Sequence, residues 1–290
     1  MRVLHVGLGG PEIDKALRGL GHDVHRINWR EIPSAQLIYL TKMVLKEAQS
    51  FLPDLVFMQI QTPGIVEARL VESLRQMGCV VINWTGDVRE NIDWYLELGD
   101  AFNVTLFTNQ TDIDKFKEKG LPADYLQIGY DPDVYYLDPR ERRGEGVVFL
   151  GNNYRNRFPE SARREEVVTQ YREKGLRVFG GNWPKNKNGR TTPKTERIIY
   201  NTNRWALNLD HFDRPLFYSD RVIRAQACGA IICQMGETDI TAEHPLSFIG
   251  YPGHWTEEMP NPKQVADYTY EYHRWAARIP RLLEIVEDYA

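Results

Sequence analysis

The stretch YSDRVIRAQACGAIICQ, residues Tyr218–Gln234, decides the fold class of this chain. Ser219 and Asp220 are residue types that favour the start of a helix, and Gly229 is typical of the position just past its end. The apolar run Ala230–Cys233 has the composition of a buried parallel strand. A helix that leads directly into such a strand predicts an α/β domain built on a parallel sheet.

Two arginines in the same stretch indicate an anion site. Arg221 and Arg224 are three residues apart, so they lie on one face of the predicted helix. They belong to its first turns, where backbone N–H groups already favour an anion. An ordinary helix and strand of an α/β domain explain the apolar residues of this stretch. The two arginines, in contrast, predict a bound ligand.

The composition is that of a globular protein. Of the 290 residues, 42% are hydrophobic and 26% are charged, and this length has room for two domains of ordinary size. We find no apolar run of about 18 residues and no charged-then-apolar leader, so we expect neither a membrane span nor a signal peptide. Cys79, Cys228 and Cys233 lie in or beside apolar runs, which predicts reduced core thiols and a cytoplasmic protein.

Positive charge is concentrated in the second half of the chain. The formal net charge is −4, yet residues 142–224 hold 18 basic and 9 acidic side chains. A solvated basic face would explain this excess, and so would a site that binds phosphates. The sequence leaves both explanations open.

The chain begins with a strand, a glycine-rich turn, a helix and a second strand. The first strand, Arg2–Gly7, runs into a turn that contains Gly9 and Gly10. Glu12 stands where the third glycine of a dinucleotide fingerprint should fall, so we do not predict a nicotinamide-cofactor domain. We expect Gly9 and Gly10 to let an acceptor-side ligand, or the other domain, approach the end of the strand closely.

Asp87 is the predicted catalytic residue. It follows the predicted strand Cys79–Asn83, and ligands of open parallel sheets sit outside the carboxyl ends of strands. Asp87 is therefore a candidate for a general base or for holding a hydroxyl, with His5 and Glu90 as weaker candidates for the base. The alternative is that Asp87 caps the next helix, and both roles are compatible. We also expect Trp84, at the end of the same strand, to lie on the acceptor side.

A second α/β unit follows a charged linker. It opens with a strand, continues through the loop 151–159 and a helix, and reaches another strand that ends in Gly180 and Gly181. Two such units predict two Rossmann-like domains that face each other across a cleft. The predicted domains are an acceptor-side domain 1–130, a linker 131–145, a donor-side domain 146–265 and a C-terminal helix 266–290 that packs back across the domains.

Four motifs between residues 125 and 234 resemble a known family. YLQIGYDPDVYY, residues 125–136, looks like the segment that joins the two domains of GT-B glycosyltransferases. FLGNNYRNRFP, FGGNWP and the segment Tyr218–Gln234, in that order, are similar to the C-terminal domain of the CgeB-type spore-maturation glycosyltransferase-like family. The resemblance covers about residues 125–240. It implies a GT-B fold, with a nucleotide-sugar donor bound mainly by the second domain and an acceptor held mainly by the first.

The resemblance also implies where the donor binds. Amide, guanidinium and helix N–H donors suit the diphosphate, and a bare backbone or a flat aromatic suits the base. A core aromatic is the alternative for Trp183. The implied donor-binding residues are Gly151, Asn152, Asn153, Arg157, Gly181, Trp183, Tyr218, Ser219, Asp220, Arg221 and Arg224.

Arg224 departs from the family pattern. Related retaining enzymes have at this position a glutamate that holds the ribose hydroxyls, and an arginine cannot accept a hydrogen bond from a hydroxyl. Either the ribose is held elsewhere, for example by Asp220, or Arg224 binds phosphate. The donor nucleotide and the stereochemistry of transfer therefore stay open.

The implied reaction moves a sugar from a nucleotide sugar, such as a UDP-sugar, to a hydroxyl acceptor. We expect no metal and no resident cofactor, because arginines and helix N–H groups can stabilise the leaving phosphates. The two Asp-x-Asp pairs, at 112–114 and 131–133, lie at a helix start and in the linker, so they are discounted as metal sites. The acceptor is a small molecule, a polysaccharide precursor or a modified base of viral DNA. A non-catalytic nucleotide or sugar binder is the alternative.

Overall fold

The structure is a computed structural model that describes residues 1–8, 11–33, 39–184, 188–252 and 259–290. The chain forms two compact units, the first from Met1–Ile128 with Trp275–Ala290 and the second from Gly129–Arg274. The predicted linker 131–145 thus belongs to the second unit. The predicted C-terminal helix 266–290 is divided between the two units.

The first unit contains a six-stranded sheet. Its strands are β1 (Arg2–Gly7), β2 (Asp23–Asn28), β3 (Leu55–Met58), β4 (Val80–Trp84), β5 (Val104–Phe107) and β6 (Ala123–Tyr125). They lie in the order β2-β1-β3-β4-β5-β6, and every pair is parallel. All four residues of β3 and of β5 are buried, as expected for strands covered on both faces.

Helices connect these strands and cover the sheet. The helices are α1 (Glu12–Gly19), α2 (Leu40–Phe51), α3 (Ala68–Gln76), α4 (Asp93–Gly99) and α5 (Gln110–Glu118), with a 3-10 turn at Trp29–Glu31. The last helix of the chain, α10 (Trp275–Asp288), packs on α1 in this unit. Its residues Ile279 and Leu282 are buried with Leu17, so the apolar side of α10 is part of the core of the first unit.

The second unit contains a five-stranded sheet. Its strands are β7 (Gly144–Leu150), β8 (Arg177–Phe179), β9 (Asn203–Asn208), β10 (Ile231–Gln234) and β11 (Phe248–Ile249). They lie in the order β11-β10-β9-β7-β8, again with parallel pairing throughout. Its helices are α6 (Ser161–Arg172), α7 (Pro193–Thr202), α8 (Asp220–Ala227) and α9 (Pro262–His273).

The segment Tyr218–Gln234 folds as its sequence predicts. Ser219 is the residue that precedes α8, and Gly229 follows the helix with a φ of 77°. A Cβ at Gly229 would lie 2.8 Å from the carbonyl oxygen of Pro262, so both the backbone conformation and the space require glycine. β10 then begins at Ile231 and lies between β9 and the edge strand β11.

The predicted states of the cysteines are confirmed, because Cys79, Cys228 and Cys233 are buried and free. The helices in the described part of the chain include none that is long and apolar enough to cross a membrane. The pair α7 and β9 was not predicted from the sequence, although β9 lies between β7 and β10 in the middle of the second sheet.

Candidate functional site

Two polar residues and a glycine lie together at the carboxyl edge of the second sheet. Gly151 follows β7, Asn208 is the last residue of β9 and Gln234 is the last residue of β10. These strands are parallel neighbours, so their carboxyl ends lie at one edge, which is where α/β sheets bind ligands.

Asn208 is the centre of a buried hydrogen-bond network at this edge. Its side-chain oxygen accepts hydrogen bonds from Arg221 Nη1 at 2.7 Å and from Ser219 Oγ at 3.3 Å. Its amide nitrogen donates to Asp210 Oδ2 and to Gln234 Oε1, each at 2.8 Å. The side-chain amide is therefore bonded on both sides, and a buried network of this kind fixes the positions of its members.

Ser219 does not cap α8 with its side chain. It occupies the predicted position before the helix, with extended backbone, but its hydroxyl is directed to Asn208 and makes no capping hydrogen bond. The N–H groups of the first turn of α8 therefore lack the side-chain acceptor that this residue type usually supplies. Such an uncapped start is favourable for an anion.

Arg221 is held by three kinds of contact. Nε donates to the carbonyl oxygen of Leu150 at 2.5 Å, and Nη1 lies 3.8 Å from Asp210 Oδ1. The guanidinium carbon lies 5.0 Å from the centroid of the Phe149 ring. Nη2 makes no hydrogen bond with the described residues. The side chain, 12% exposed, is thus fixed in place with one nitrogen left for a ligand.

The two asparagines of the loop after β7 tie this loop to the one after β8. Asn152 Oδ1 accepts from the backbone N–H of Gly181 at 2.7 Å, and Asn153 N donates to Gly181 O at 2.9 Å. Asn153 Oδ1 accepts from Arg155 N at 2.7 Å. The side-chain oxygens of both asparagines and the backbone of Gly181 therefore shape the loops, and donation from the asparagine amides to a diphosphate stays a prediction.

Trp183 and Gly151 have structural roles that differ from those predicted. Trp183 is 6% exposed, packs edge-on against Phe149 and donates from Nε1 to Gly151 O at 2.6 Å. This placement agrees with the alternative of a core aromatic, and contact of Trp183 with the base stays a prediction. Gly151 N donates to Phe179 O at 2.9 Å, so its backbone is not free to bind a phosphate.

Tyr218 is also a core residue. It is 2% exposed, and its hydroxyl donates to Glu243 Oε2 at 3.1 Å. The side chain is thus packed in the core, and its predicted contact with the donor stays a prediction. Arg157 by contrast is exposed in the loop after β7, with its guanidinium carbon 5.4 Å from the centroid of the Phe158 ring.

Arg224 is engaged by two carboxylates. Nη2 lies 2.7 Å from Asp220 Oδ2 and Nη1 lies 3.7 Å from Glu196 Oε2. The guanidinium carbon lies 5.2 Å from the centroid of the Tyr135 ring, whose hydroxyl donates to Glu196 at 2.7 Å. Burial acts to lower the pKa of Arg224, but Asp220, Tyr135 and Glu196 raise it above its usual value. Asp220 and Glu196 already balance the charge that a phosphate would otherwise attract.

Arg164, which the sequence analysis missed, lies directly behind Gly151. It is on α6, 2% exposed, with its guanidinium carbon 5.1 Å from the centroid of the Phe149 ring. Its Nη1 is bonded to His211 Nε2, while Nε and Nη2 have no hydrogen-bond partner among the described residues. Burial and the nearby Arg221 lower the pKa of Arg164 to about 9.

His211 is neutral in this setting. Burial, Arg164 and Arg221 lower the pKa of His211 from 6.5 to about 3. A neutral imidazole accepts at Nε2 the hydrogen bond that Arg164 donates.

No sequence signal identified Arg164, because two adjacent arginines in a polar helix usually extend into solvent. Asn208 and Asp210 did carry a signal, since these polar residues follow the short apolar stretch Trp205–Leu207.

In the first unit, Asp87 follows β4 as predicted. Its side chain is 50% exposed, and it lies 3.0 Å from Arg89 Nη1. α4 begins only at Asp93, so Asp87 does not cap that helix. The structure places Asp87 at the carboxyl edge of the first sheet, and the role of a general base stays a prediction.

Trp84 and His5 are buried instead of facing a ligand. Trp84 is 3% exposed, donates from Nε1 to Leu126 O at 2.8 Å and packs edge-on against Trp275. It is a core residue of the first unit, and its acceptor-side role stays a prediction. His5 is fully buried, and both ring nitrogens are engaged, Nδ1 with Asp14 at 2.5 Å and Nε2 with Gln59 at 3.0 Å. The predicted residues Gly9 and Gly10 lie outside the described residues.

The described residues include no group of three or more His, Cys, Asp or Glu side chains arranged to hold a metal ion. No protein-family model matches this sequence, and no curated protein matches it.

Solved structures match nearly the whole chain. An α-glucosyltransferase, solved with UDP and a 13-mer DNA that contains an HMU base, is 11% identical with a TM-score of 0.62 and covers 99% of each chain. A glycosyltransferase from Rickettsia africae ESF-5 is 11% identical with a TM-score of 0.56, over 99% of this chain and 98% of that chain. Anabaena Alr3699/HepE, solved with UDP and glucose, is 12% identical with a TM-score of 0.52, and the match covers 100% of this chain and 97% of that chain.

These likenesses show the fold. The chain has two Rossmann-like α/β units with parallel sheets of six and five strands, and it matches the fold of GT-B glycosyltransferases. The predicted fold class is confirmed. The narrower resemblance to the CgeB-type family stays a prediction from the sequence motifs.

Proposed function

We propose that this chain is a glycosyltransferase that moves a sugar from a nucleotide-sugar donor to a hydroxyl acceptor without a metal ion. The observation that carries this proposal is Arg221, a guanidinium fixed by Asn208 and Leu150 with Nη2 left over, beside the uncapped start of α8. A guanidinium and free helix N–H groups are the donors that a diphosphate requires.

The same groups support a catalytic role. In glycosyl transfer the nucleoside diphosphate leaves, and negative charge grows on its phosphate oxygens. Fixed donors that are aimed at developing charge stabilise the transition state without having to reorganise. The network around Asn208 holds Arg221 in this way, so the site favours departure of the diphosphate.

The carboxylates beside Arg224 are the proposed ribose site. The family position for a ribose-binding glutamate is Arg224 here, but Asp220 and Glu196 lie within 2.7 and 3.7 Å of its guanidinium. Both side chains are partly exposed, so they keep acceptor capacity for hydroxyl groups. Arg224 would then orient these carboxylates and leave the ribose hydroxyls to them.

Asp87 is the proposed base that takes the proton of the acceptor hydroxyl. It is half exposed at the carboxyl edge of the first sheet, and a carboxylate on this edge can accept a proton in an inverting transfer. Asp87→Asn is expected to lower turnover by about 100-fold or more while donor affinity stays unchanged. Equal loss of turnover and of donor affinity would contradict a role as base.

A hydroxymethylated base of viral DNA is a second candidate for the acceptor. The α-glucosyltransferase that matches with a TM-score of 0.62 was solved with DNA that contains an HMU base. Arg155 and Arg190 are exposed in the loops after β7 and β8, where they can neutralise backbone phosphates. A small metabolite and a polysaccharide precursor are the competing acceptors.

Salt dependence of duplex binding separates these acceptors. For a DNA acceptor, the logarithm of the binding constant should fall steeply as the logarithm of salt concentration rises. Arg155→Ala and Arg190→Ala should each make that slope shallower. No binding near physiological salt, or a flat response, would exclude DNA and leave the smaller acceptors.

A screen of nucleotide sugars tests the main proposal. Thermal shift reports donor binding, and release of nucleoside diphosphate reports turnover, which distinguishes an enzyme from a non-catalytic binder. Arg157→Ala and Arg221→Ala should weaken both signals. Arg204→Ala is the matched control, because Arg204 is at the opposite end of β9 from Asn208 and pairs with Glu145. A wild-type protein that neither binds nor consumes any nucleotide sugar would overturn the proposal.

A further inference from the structure

Arg164 carries a charge that the fold has not satisfied. It is 2% exposed, and two of its three side-chain nitrogens have no hydrogen-bond partner among the described residues. A buried charged group without full hydrogen bonding normally costs stability, so such groups are rare unless they serve a ligand. Arg163, the preceding residue, shows the usual arrangement, since it is partly exposed and lies near Glu160, Asp213 and Glu237.

The unsatisfied nitrogen of Arg164 points to the same place as the free nitrogen of Arg221. A Cβ built on Gly151 would lie 2.7 Å from Arg164 Nη2 and 3.1 Å from Arg221 Nη2. Both guanidinium groups also lie over the Phe149 ring, at 5.1 and 5.0 Å from its centroid. Gly151 is thus required because any side chain would occupy the point on which the two cations converge.

The charges around this point do not balance. Arg164 and Arg221 are both cationic, and they repel each other, which contributes to the lowered pKa of Arg164. His211 is neutral, because burial and the two arginines lower its pKa to about 3. Among the described residues, Asp210 is a carboxylate that opposes them, 3.8 Å from Arg221. An anion at Gly151 would restore the balance.

We propose that Arg164 is a positioning residue of the phosphate site. Its buried charge lies immediately behind Gly151 and attracts the diphosphate that Arg221 contacts directly. The identity of the anion as a diphosphate rests on the function proposed above. Because burial removes water around the guanidinium, its field is screened less than that of a surface arginine. Arg164 itself does not reach the surface, so it acts on the ligand through its charge.

This role has a consequence that a purely structural arginine would not have. Replacing an unsatisfied buried charge by an apolar side chain of similar length is neutral or stabilising for the free protein. Arg164→Met should therefore leave the thermal midpoint of the free protein unchanged or raise it. The same substitution should weaken anion binding, and it should weaken a more highly charged anion more, because the effect of a field scales with ligand charge.

The test is calorimetric titration of the full chain with inorganic pyrophosphate and with inorganic phosphate. We expect Arg164→Met to bind pyrophosphate at least tenfold more weakly, with a smaller loss for phosphate. Arg164→Lys keeps the charge and should recover most of the affinity. Arg163→Met is the matched control from the same helix and should stay within about twofold of the wild type.

Several results would overturn the inference. They are a wild-type chain that does not bind pyrophosphate, an Arg164→Met variant with unchanged affinity, and an Arg164→Met variant that is unfolded or several degrees less stable. Failure of the proposed function is a separate result. If the wild-type protein binds pyrophosphate through Arg164 but consumes no nucleotide sugar, the inference about Arg164 holds and the proposed function is wrong. If Arg164→Met consumes nucleotide sugar as fast as the wild type, the proposed function holds and the inference about Arg164 is wrong.

Discussion

Each unit places a buried polar cluster behind the end of its first strand, and the two clusters differ in how completely they are bonded. In the first unit His5 contacts Asp14 and Gln59, and Gln59 also accepts from the backbone of Leu8 at 3.0 Å. In the second unit Arg164 has one bonded nitrogen and two without partners in the described part of the chain.

The difference separates a structural cluster from a binding cluster. A buried histidine with both ring nitrogens bonded, as His5 has, stabilises the fold and has no capacity left for a ligand. An incompletely bonded cation costs stability until an anion arrives. This contrast explains why the buried histidine is a poor candidate for a base, while the second cluster is a good candidate for a phosphate site.

Asp14→Ala should have the largest effect on stability. Asp14 is buried between His5 and Arg26, whose Nη1 lies 3.4 Å from its second oxygen. Removing one partner of a buried charged cluster leaves the others uncompensated and costs about 3 kcal/mol. Urea unfolding should show this loss, while pyrophosphate affinity of the folded protein stays unchanged. Reduced pyrophosphate affinity of the folded variant would contradict the assignment of anion binding to the second cluster and not to the first.

Arg221→Met should have the largest effect on binding. Removing a direct hydrogen-bond donor to a charged ligand costs about 1.5–3 kcal/mol, roughly tenfold to 150-fold in affinity. Titration with a nucleoside diphosphate measures this loss. Arg204→Met should bind with wild-type affinity, and a similar loss in both variants would show a non-specific effect of charge.

Alanine substitutions of one glycine beside each cluster test the same difference between the two clusters. A Cβ at Gly7 would lie 2.2 Å from His5 Nε2, and one at Gly151 would lie 2.7 Å from Arg164 Nη2. Each added methyl forces a shift in a packed cluster, so Gly7→Ala and Gly151→Ala should each lose about 1 kcal/mol or more of stability. Only Gly151→Ala should also weaken pyrophosphate binding. An equal effect of both substitutions on binding would remove the distinction.

The effect expected at His211 is confined to acidic pH. The pKa of His211 is lowered from 6.5 to about 3 in the folded state, so the unfolded chain binds more protons between these values. Its contribution to stability is therefore present above about pH 6.5 and is lost as the pH falls toward 3. His211→Gln should flatten the fall of the unfolding free energy in this range. An unchanged slope would show that His211 protonates as easily in the folded state.

The sequence predicted the parts of the fold that depend on local patterns. The helix start at Ser219, the left-handed Gly229 and the buried strand after it are all present, because capping, turn and burial preferences act over a few residues. The strand β9 was not predicted, although it ends in Asn208. Its interior residues, Arg204 among them, do not form the continuous apolar run that marks a central strand.

The site was predicted only in part, for a physical reason. Motifs place Trp183, Tyr218 and Asn153 beside a ligand, but whether a side chain turns outward or into the core depends on neighbours distant in sequence. Trp183 is buried because its Nε1 reaches Gly151, and Arg164 is buried because α6 packs it against Phe149. Such contacts leave no local pattern in a single sequence.

The most direct test of the central claim is a crystal structure of the protein with the nucleoside diphosphate selected by the donor screen. We predict that the diphosphate lies at the carboxyl edge of the second sheet, within hydrogen-bond distance of Arg221 Nη2 and of the first turn of α8. A diphosphate bound elsewhere, with no phosphate oxygen near Arg221, would contradict the account.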